Sequence, residues 1–120
     1  MNTIHLQEAT LVREVQQVAT HEGKEAEAIV EEAVRRHLAH YRQKRILAET
    51  EAWYRLSTEI RNQYKQQYVA VYNGKIVDSD NDRLLLYFRV RERYDRQPVL
   101  LIEGGDQPMP VYRIRSPRRA

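Results

Sequence analysis

Over residues 3–7 polar and apolar side chains alternate: Thr3, His5 and Gln7 are polar, Ile4 and Leu6 apolar. Such alternation predicts a strand with one buried face, here only about five residues long. A strand this short cannot satisfy its own N–H and C=O groups. The period then lengthens. Leu11, Val15, Val18 and Ala19 recur at helical spacing, with Glu14, Gln16 and Gln17 on the other side. Glu8 in the first turn suits the positive end of the helix dipole, and Gly23 suits a left-handed residue just past the helix end. A second helical stretch places Ile29, Val30, Ala33, Val34, Leu38 and Tyr41 on its apolar side. Its acids, Glu25 and Glu27, come first, and Arg35, Arg36, Arg42, Lys44 and Arg45 come last, the order that the dipole favours.

Helical spacing continues through Ile46, Leu47, Trp53, Leu56, Ile60 and Tyr64. The apolar phase shifts near Leu47, which predicts a break between Lys44 and Thr50 and a new helix from about Glu51. Two β-type runs then flank Asn73-Gly74, a pair suited to a type I′ hairpin turn with positive φ at both positions. In that register Tyr72 faces Lys75, Val71 faces Ile76 and Val69 faces Asp78, so Val69, Val71 and Ile76 share a face toward the helices. A helix follows with Asp80 or Asn81 as N-cap and Leu84, Leu85, Phe88 and Val90 or Arg91 around its faces. "QPVLLIEG" reads as a buried strand opened by Pro98. After the flexible "EGGDQP", "MPVYRIRS" reads as a last strand anchored by Val111 and Ile114. The expected fold is α+β, with one unit over residues 1–45 and a small α+β module with a basic tail over residues 46–120.

Strand, helix, glycine turn, helix is the order of "TIHLQ", "VATHEGK" and "AIVEEAVRRHL", and over residues 2–42 it resembles the ribbon-helix-helix family, the Arc, MetJ and CopG type of bacterial repressor. The resemblance implies a symmetric homodimer: two copies pair their short strands into a ribbon, and four helices share one core. Its core residues would be Ile4, Leu6, Leu11, Val15, Val18, Ile29, Val30, Ala33, Val34 and Leu38. It also implies that the outward ribbon residues Thr3, His5 and Gln7 read base edges of double-stranded DNA in the major groove. In this family a phosphate sits at the start of the second helix. This chain departs there, because Glu25 stands where Ser or Thr is usual, Glu27 follows, and only Lys24 offsets them. The second half, about residues 51–118, resembles a small bacterial family of unknown function, on "YRLSTEIRNQYKQQYVAVYNGKIVDSDND" and "VYRIRSPR". Gln66-Gln67 replaces a glycine frequent before the strand in that family, a change that affects the turn.

The net charge of +3 is unevenly placed. Residues 1–45 balance seven Lys/Arg against seven Asp/Glu, whereas residues 46–120 hold thirteen against ten. Past Asp106 come Arg113, Arg115, Arg118 and Arg119 and no further acid, so the excess is a tail and not a basic groove. That tail reads either as a phosphate-gripping arm or as a solvated terminus. With no cysteine there is no disulfide and no thiolate metal site. The apolar runs "LLLYF" and "PVLLI" are too short to span a bilayer, and a cytoplasmic protein with no membrane partner is expected.

Catalytic signals are weak. Asp78, Asp80 and Asp82 alternate as in a calcium loop, but Arg83 and Arg89 occupy the positions where Gly and the closing Glu belong, so capping of the next helix is expected. His37 and His40 lie three apart on a helix beside Arg35, Arg36 and Arg42 with no third ligand nearby. No nucleophile elbow, P-loop or dinucleotide glycine fingerprint is present. Trp53, Tyr54, Tyr64, Tyr68 and Tyr72 interleave with Arg55, Arg61 and Lys65, an arrangement that either stacks bases or staples a helix to a sheet.

Two expectations follow, neither an enzyme and neither needing a cofactor or metal. One is a dimeric DNA-binding regulator, including an autorepressing antitoxin of a gene pair, reading bases through Thr3, His5 and Gln7 and gripping phosphates through Arg13, Lys24, Arg118 and Arg119. The other is an interaction module that dimerises through its first unit and binds a protein partner encoded nearby through its hairpin edge or tail.

Overall fold

The computed structural model describes residues 4–110. The chain divides into two compact units, Met1–Gln43 and Lys44–Ala120. The class is α+β: helices, then a three-stranded antiparallel sheet with a further helix in its connection.

In the first unit, residues 4–8 pair with no strand among the described residues and lead into helix α1, Ala9–Glu22. Glu8 is the cap itself, not a first-turn residue. Its carboxylate accepts from the N–H groups of Leu11 and Thr10, at 2.7 and 3.2 Å, and these bonds hold its pKa below the usual glutamate value. At the other end Gly23 takes φ 68, and the Lys24 N–H reaches back to the Ala19 carbonyl at 2.9 Å, the double closure expected of a left-handed cap. Helix α2, Ala26–Arg55, begins next.

The predicted break near Leu47 is overturned: α2 runs unbroken to Arg55. The apparent change of phase has a physical source. Glu49, a charge, occupies a core position at 2% exposure, while Leu47, an apolar residue, is 55% exposed. Helix structure stops after Arg55, where Ser57 caps the short helix α3, Thr58–Asn62, by accepting from the Ile60 N–H at 3.2 Å.

Strands β1, Tyr68–Tyr72, and β2, Lys75–Asp80, form the predicted hairpin, with Asn73 and Gly74 at φ 52 and 75. Tyr72 faces Lys75 and Val71 faces Ile76 as expected. Val69, however, faces Ser79 and not Asp78, because a bulge between Ala70 and Val71 leaves Val77 as an extra residue on β2. Helix α4, Arg83–Tyr94, is capped by Asp82 and not by Asp80 or Asn81; the Asp82 carboxylate accepts from Leu84 and Leu85 N–H. Strand β3, Leu100–Glu103, pairs antiparallel with β1, giving the order β2-β1-β3. The predicted last strand, with Val111 and Ile114, lies outside the described residues.

Central strand β1 is buried on both sides. Val69 and Val71 pack with Trp53 and Leu100, joined by Ile46, Tyr54, Leu56, Tyr64, Ile76 and Ile102. Ala70 points the other way, toward Leu86 and Val90 of α4. The period-two alternation of β1 thus feeds two cores, one on each face of the sheet. The aromatic and basic residues near Trp53 are staples: Trp53 and Tyr64 meet edge to face at 6.4 Å, and Arg61 lies over the Tyr54 ring at 5.3 Å.

Candidate functional site

Within the first unit, seven of the ten residues expected to form a dimer core line one apolar groove that is open among the described residues, and Ile4, Val18 and Leu38 are not in its lining. Leu6, Leu11, Val15, Ile29, Val30, Ala33 and Val34 line a single groove between α1 and the start of α2, with His37 at its end. Ile4 is 93% exposed, and Leu6, Leu11, Val18, Val34 and Leu38 are each more than two-fifths exposed. Among the described residues of this unit only Ala19 is buried. Two helices of this size cannot close a core by themselves.

The expected DNA-reading residues are only partly placed. His5 and Gln7 are exposed just ahead of the Glu8 cap, whereas Thr3, Arg118 and Arg119 lie outside the described residues, as do Arg113 and Arg115. Arg13 is exposed on α1 beside Gln16, Gln17 and Thr20. Lys24 lies 3.9 Å from Glu32, so its charge is shared within the unit. Glu25 and Glu27 are both exposed at the start of α2, and the Glu25 carbonyl accepts from Ala28 and Ile29. A phosphate approaching that helix end meets two carboxylates and one partly neutralised ammonium.

Among its described residues the second unit contains three polar assemblies. Glu49 accepts from the backbone N–H groups of Asn73 and Gly74, the latter at 2.8 Å, while Arg45 pairs with Glu49 at 3.3 Å and donates to the Asn73 amide oxygen at 3.1 Å. This carboxylate therefore ties α2 to the hairpin turn. Arg61, 6% exposed, donates to the carbonyls of Leu56, Gly105 and Gln107, fixing the chain after β3. Gly104 packs so closely on Tyr64 that any Cβ there would overlap the Tyr64 carbonyl.

Arg89 forms the third assembly. It bonds both carboxylate oxygens of Asp78 at 3.0 Å and one of Asp80 at 2.7 Å. The guanidinium holds Asp78 below the usual aspartate range; Asp80 is lowered first by the Asp82 N–H and then by Arg89, and Arg89 is raised in turn. The alternating aspartates thus anchor an arginine and cap a helix. Among the described residues no three His, Cys, Asp or Glu side chains gather as a metal site, and no helix is long and apolar enough to cross a membrane.

Residues 59–103 match a family of unknown function (DUF5678). The matched segment begins inside α3 and ends with β3, so it spans the hairpin, α4 and the whole sheet. The expected resemblance of the second half to a family without assigned activity is thus matched by a family model over residues 59–103 and not over the whole of residues 51–118. The family model does not extend into the first unit. Neither a curated protein nor a solved structure matches the chain.

Nothing in the sequence marks Glu49, outside the matched segment, or Arg61, inside it, as buried, because each stands among other charges in a helical stretch. Only the i, i+4 spacing of Arg45 and Glu49 hinted at a pair.

Proposed function

We propose that the protein is a homodimeric DNA-binding regulator in which the first unit supplies both the dimer contact and the reading surface. The observation that carries the proposal is the open groove of Leu6, Leu11, Val15, Ile29, Val30, Ala33 and Val34. A second copy covers it by symmetry, and the segments ahead of α1 then pair as a two-stranded ribbon, giving residues 4–8 strand partners that they do not have among the described residues. His5 and Gln7 face outward on that ribbon; Gln pairs bidentately with adenine. Arg13 supplies phosphate contact, with Arg118 and Arg119 assisting.

Because Glu25 and Glu27 flank the α2 start, this DNA binding is weak in its non-specific component and carries a shallow salt dependence. The same two carboxylates favour a second reading, a dimerising module that binds protein and not DNA. Anisotropy titrations with the gene's own upstream fragment separate the two. The regulator reading expects saturable binding that His5→Ala with Gln7→Ala abolishes while sedimentation still shows a dimer. Undiminished binding by that double variant rejects the ribbon role. A compact single-chain species at micromolar concentration rejects the dimer and the regulator with it.

A further inference from the structure

The two edges of the sheet differ in how their main-chain groups are satisfied. The Gly104 N–H bonds the Gln67 carbonyl at 2.8 Å, and along an antiparallel strand such groups face alternate sides. Leu100 and Ile102 therefore turn their N–H and C=O groups toward β1, and Leu101 and Glu103 turn theirs outward. Val69 bonds on the β3 side, so Ser79, opposite it on β2, also turns outward. There side chains close the edge: the Ser79 N–H donates to the Asp78 carboxylate at 2.7 Å, and Arg89 donates to the Ser79 carbonyl at 3.2 Å. On β3 no group among the described residues bonds the outward N–H and C=O of Leu101 and Glu103. Leu101 is half-buried on the α4 side of the sheet, where main-chain groups ordinarily have partners.

The chain that leaves β3 is fastened close to the end of this edge. One nitrogen of Arg61 donates to the carbonyls of both Gly105 and Gln107, at 3.5 and 2.7 Å, and the Gly105 N–H returns to the Arg61 carbonyl at 3.1 Å. From Gln107 to Arg113 the chain can reach roughly 20 Å, and β3 is itself only about 13 Å long. The sequence from Tyr112 to Ser116 alternates, with Arg113 and Arg115 on one parity and Tyr112 and Ile114 on the other, and Pro117 ends it. Glu103 is exposed and has no ion pair among the described residues.

We propose that the open edge of β3 takes residues 113–116 of the same chain as an antiparallel fourth strand, bonded through the outward N–H and C=O groups of Leu101 and Glu103. The connection, residues 104–112, is shorter than the crossover that a parallel strand requires. Arg113 opposite Glu103 pairs the two charges. Ile114 then faces Ile102 on the Trp53 side of the sheet, Arg115 faces Leu101, and Pro117 stops the strand where β3 begins. A second copy's β3 has no cation to offer Glu103. A foreign strand would have to displace a segment tethered within reach of the edge. The proposal rests on the second unit alone and stands whether or not the first unit binds DNA.

The test is nuclear magnetic resonance on the isotopically labelled full chain. The Leu101 and Glu103 amides are expected to exchange with solvent roughly tenfold or more slowly than in Arg113→Pro, which removes a donor that the added strand needs. An Hα–Hα contact between Ile102 and Ile114 is expected, because they form the closely spaced pair of this register. Arg113→Glu should speed exchange at both amides, and Arg113→Glu with Glu103→Arg should slow it again. Unchanged Trp53 emission shows that these variants are folded. Equal exchange in the parent and Arg113→Pro overturns the proposal, since some other group then covers the edge or none does. So does absence of the Ile102–Ile114 contact, or its appearance only between differently labelled copies in a mixed sample. Failure of the charge exchange to restore slow exchange overturns it as well.

Discussion

Arg89 bridges two aspartates from different positions of β2, and its effect depends on their ionisation. Both carboxylates have folded pKa values held below the ordinary aspartate value of 3.8. A group whose pKa is depressed by folding stabilises the fold above its unfolded value and loses that contribution as pH falls toward the folded one. The stabilisation is therefore complete near neutrality and fades below about pH 3.8. Arg89→Met should lower the thermal midpoint at pH 7, and the gap from the parent chain should close as both are acidified through that window. A gap independent of pH would show that Arg89 acts by packing its stem and not by charge. Gln66 is a separate case. It holds φ 66, a left-handed backbone that costs a non-glycine residue about 1–2 kcal/mol. Gln66→Gly relieves that cost but adds freedom to the unfolded chain, so a net gain of up to about 1 kcal/mol is expected in urea titrations. The Gln66-Gln67 departure was visible in the sequence. That Gln66 specifically bears the strain was not, because the pair gives no sign of which residue turns.

Among the elements, the clearest dependence is that of the hairpin on α2. Glu49→Ala removes the acceptor for two turn N–H groups, and hydrogen bonds to a charged group contribute about 1.5–3 kcal/mol each. We expect Glu49→Ala to lose about 2–3 kcal/mol, and Glu49→Gln, which retains one acceptor oxygen, to lose less. If the two variants unfold at the same urea concentration, the carboxylate does not clamp the turn. The hairpin itself was legible because Asn73-Gly74 demands two positive φ angles and few other pairs supply them. The bulge was not, since Ile76 and Val77 are both apolar and nothing in the sequence says which is the extra residue; Val77 takes that place and packs on the α4 side of the sheet. Three leucines in succession, Leu84, Leu85 and Leu86, likewise announce a helix without saying which one meets the sheet. Only Leu86 does. The false break in α2 arose from a charge at a core position, a place where hydrophobic periodicity has no signal to give.

At the scale of the whole chain, the two units differ in how they obtain a core, and the difference can be measured. The second unit closes its own, with Trp53 at 1% exposure between α2 and the sheet. Among the described residues the first unit leaves its apolar positions open, and under the proposed function a second copy covers them. Any state stabilised by association unfolds at a midpoint that rises with protein concentration, whereas a self-contained one does not. The chain has a single tryptophan, so Trp53 emission reports the second unit alone. Helix α2 passes through both units, but beyond Lys44 it is fastened to the hairpin by Glu49 and to the sheet by Trp53. Loss of α1 and the start of α2 can therefore proceed while that fastened part persists. Far-ultraviolet circular dichroism, weighted to the helices, should show an early denaturation phase that moves to higher urea as the protein is concentrated. Trp53 emission should change later and at a fixed urea concentration. Val34→Glu, which places a charge in the open groove, should remove the concentration dependence of the early phase and leave the Trp53 transition unchanged. If instead Trp53 emission and ellipticity shift together with concentration, the two units unfold as one cooperative body, and the second owes part of its stability to the copy that covers the first.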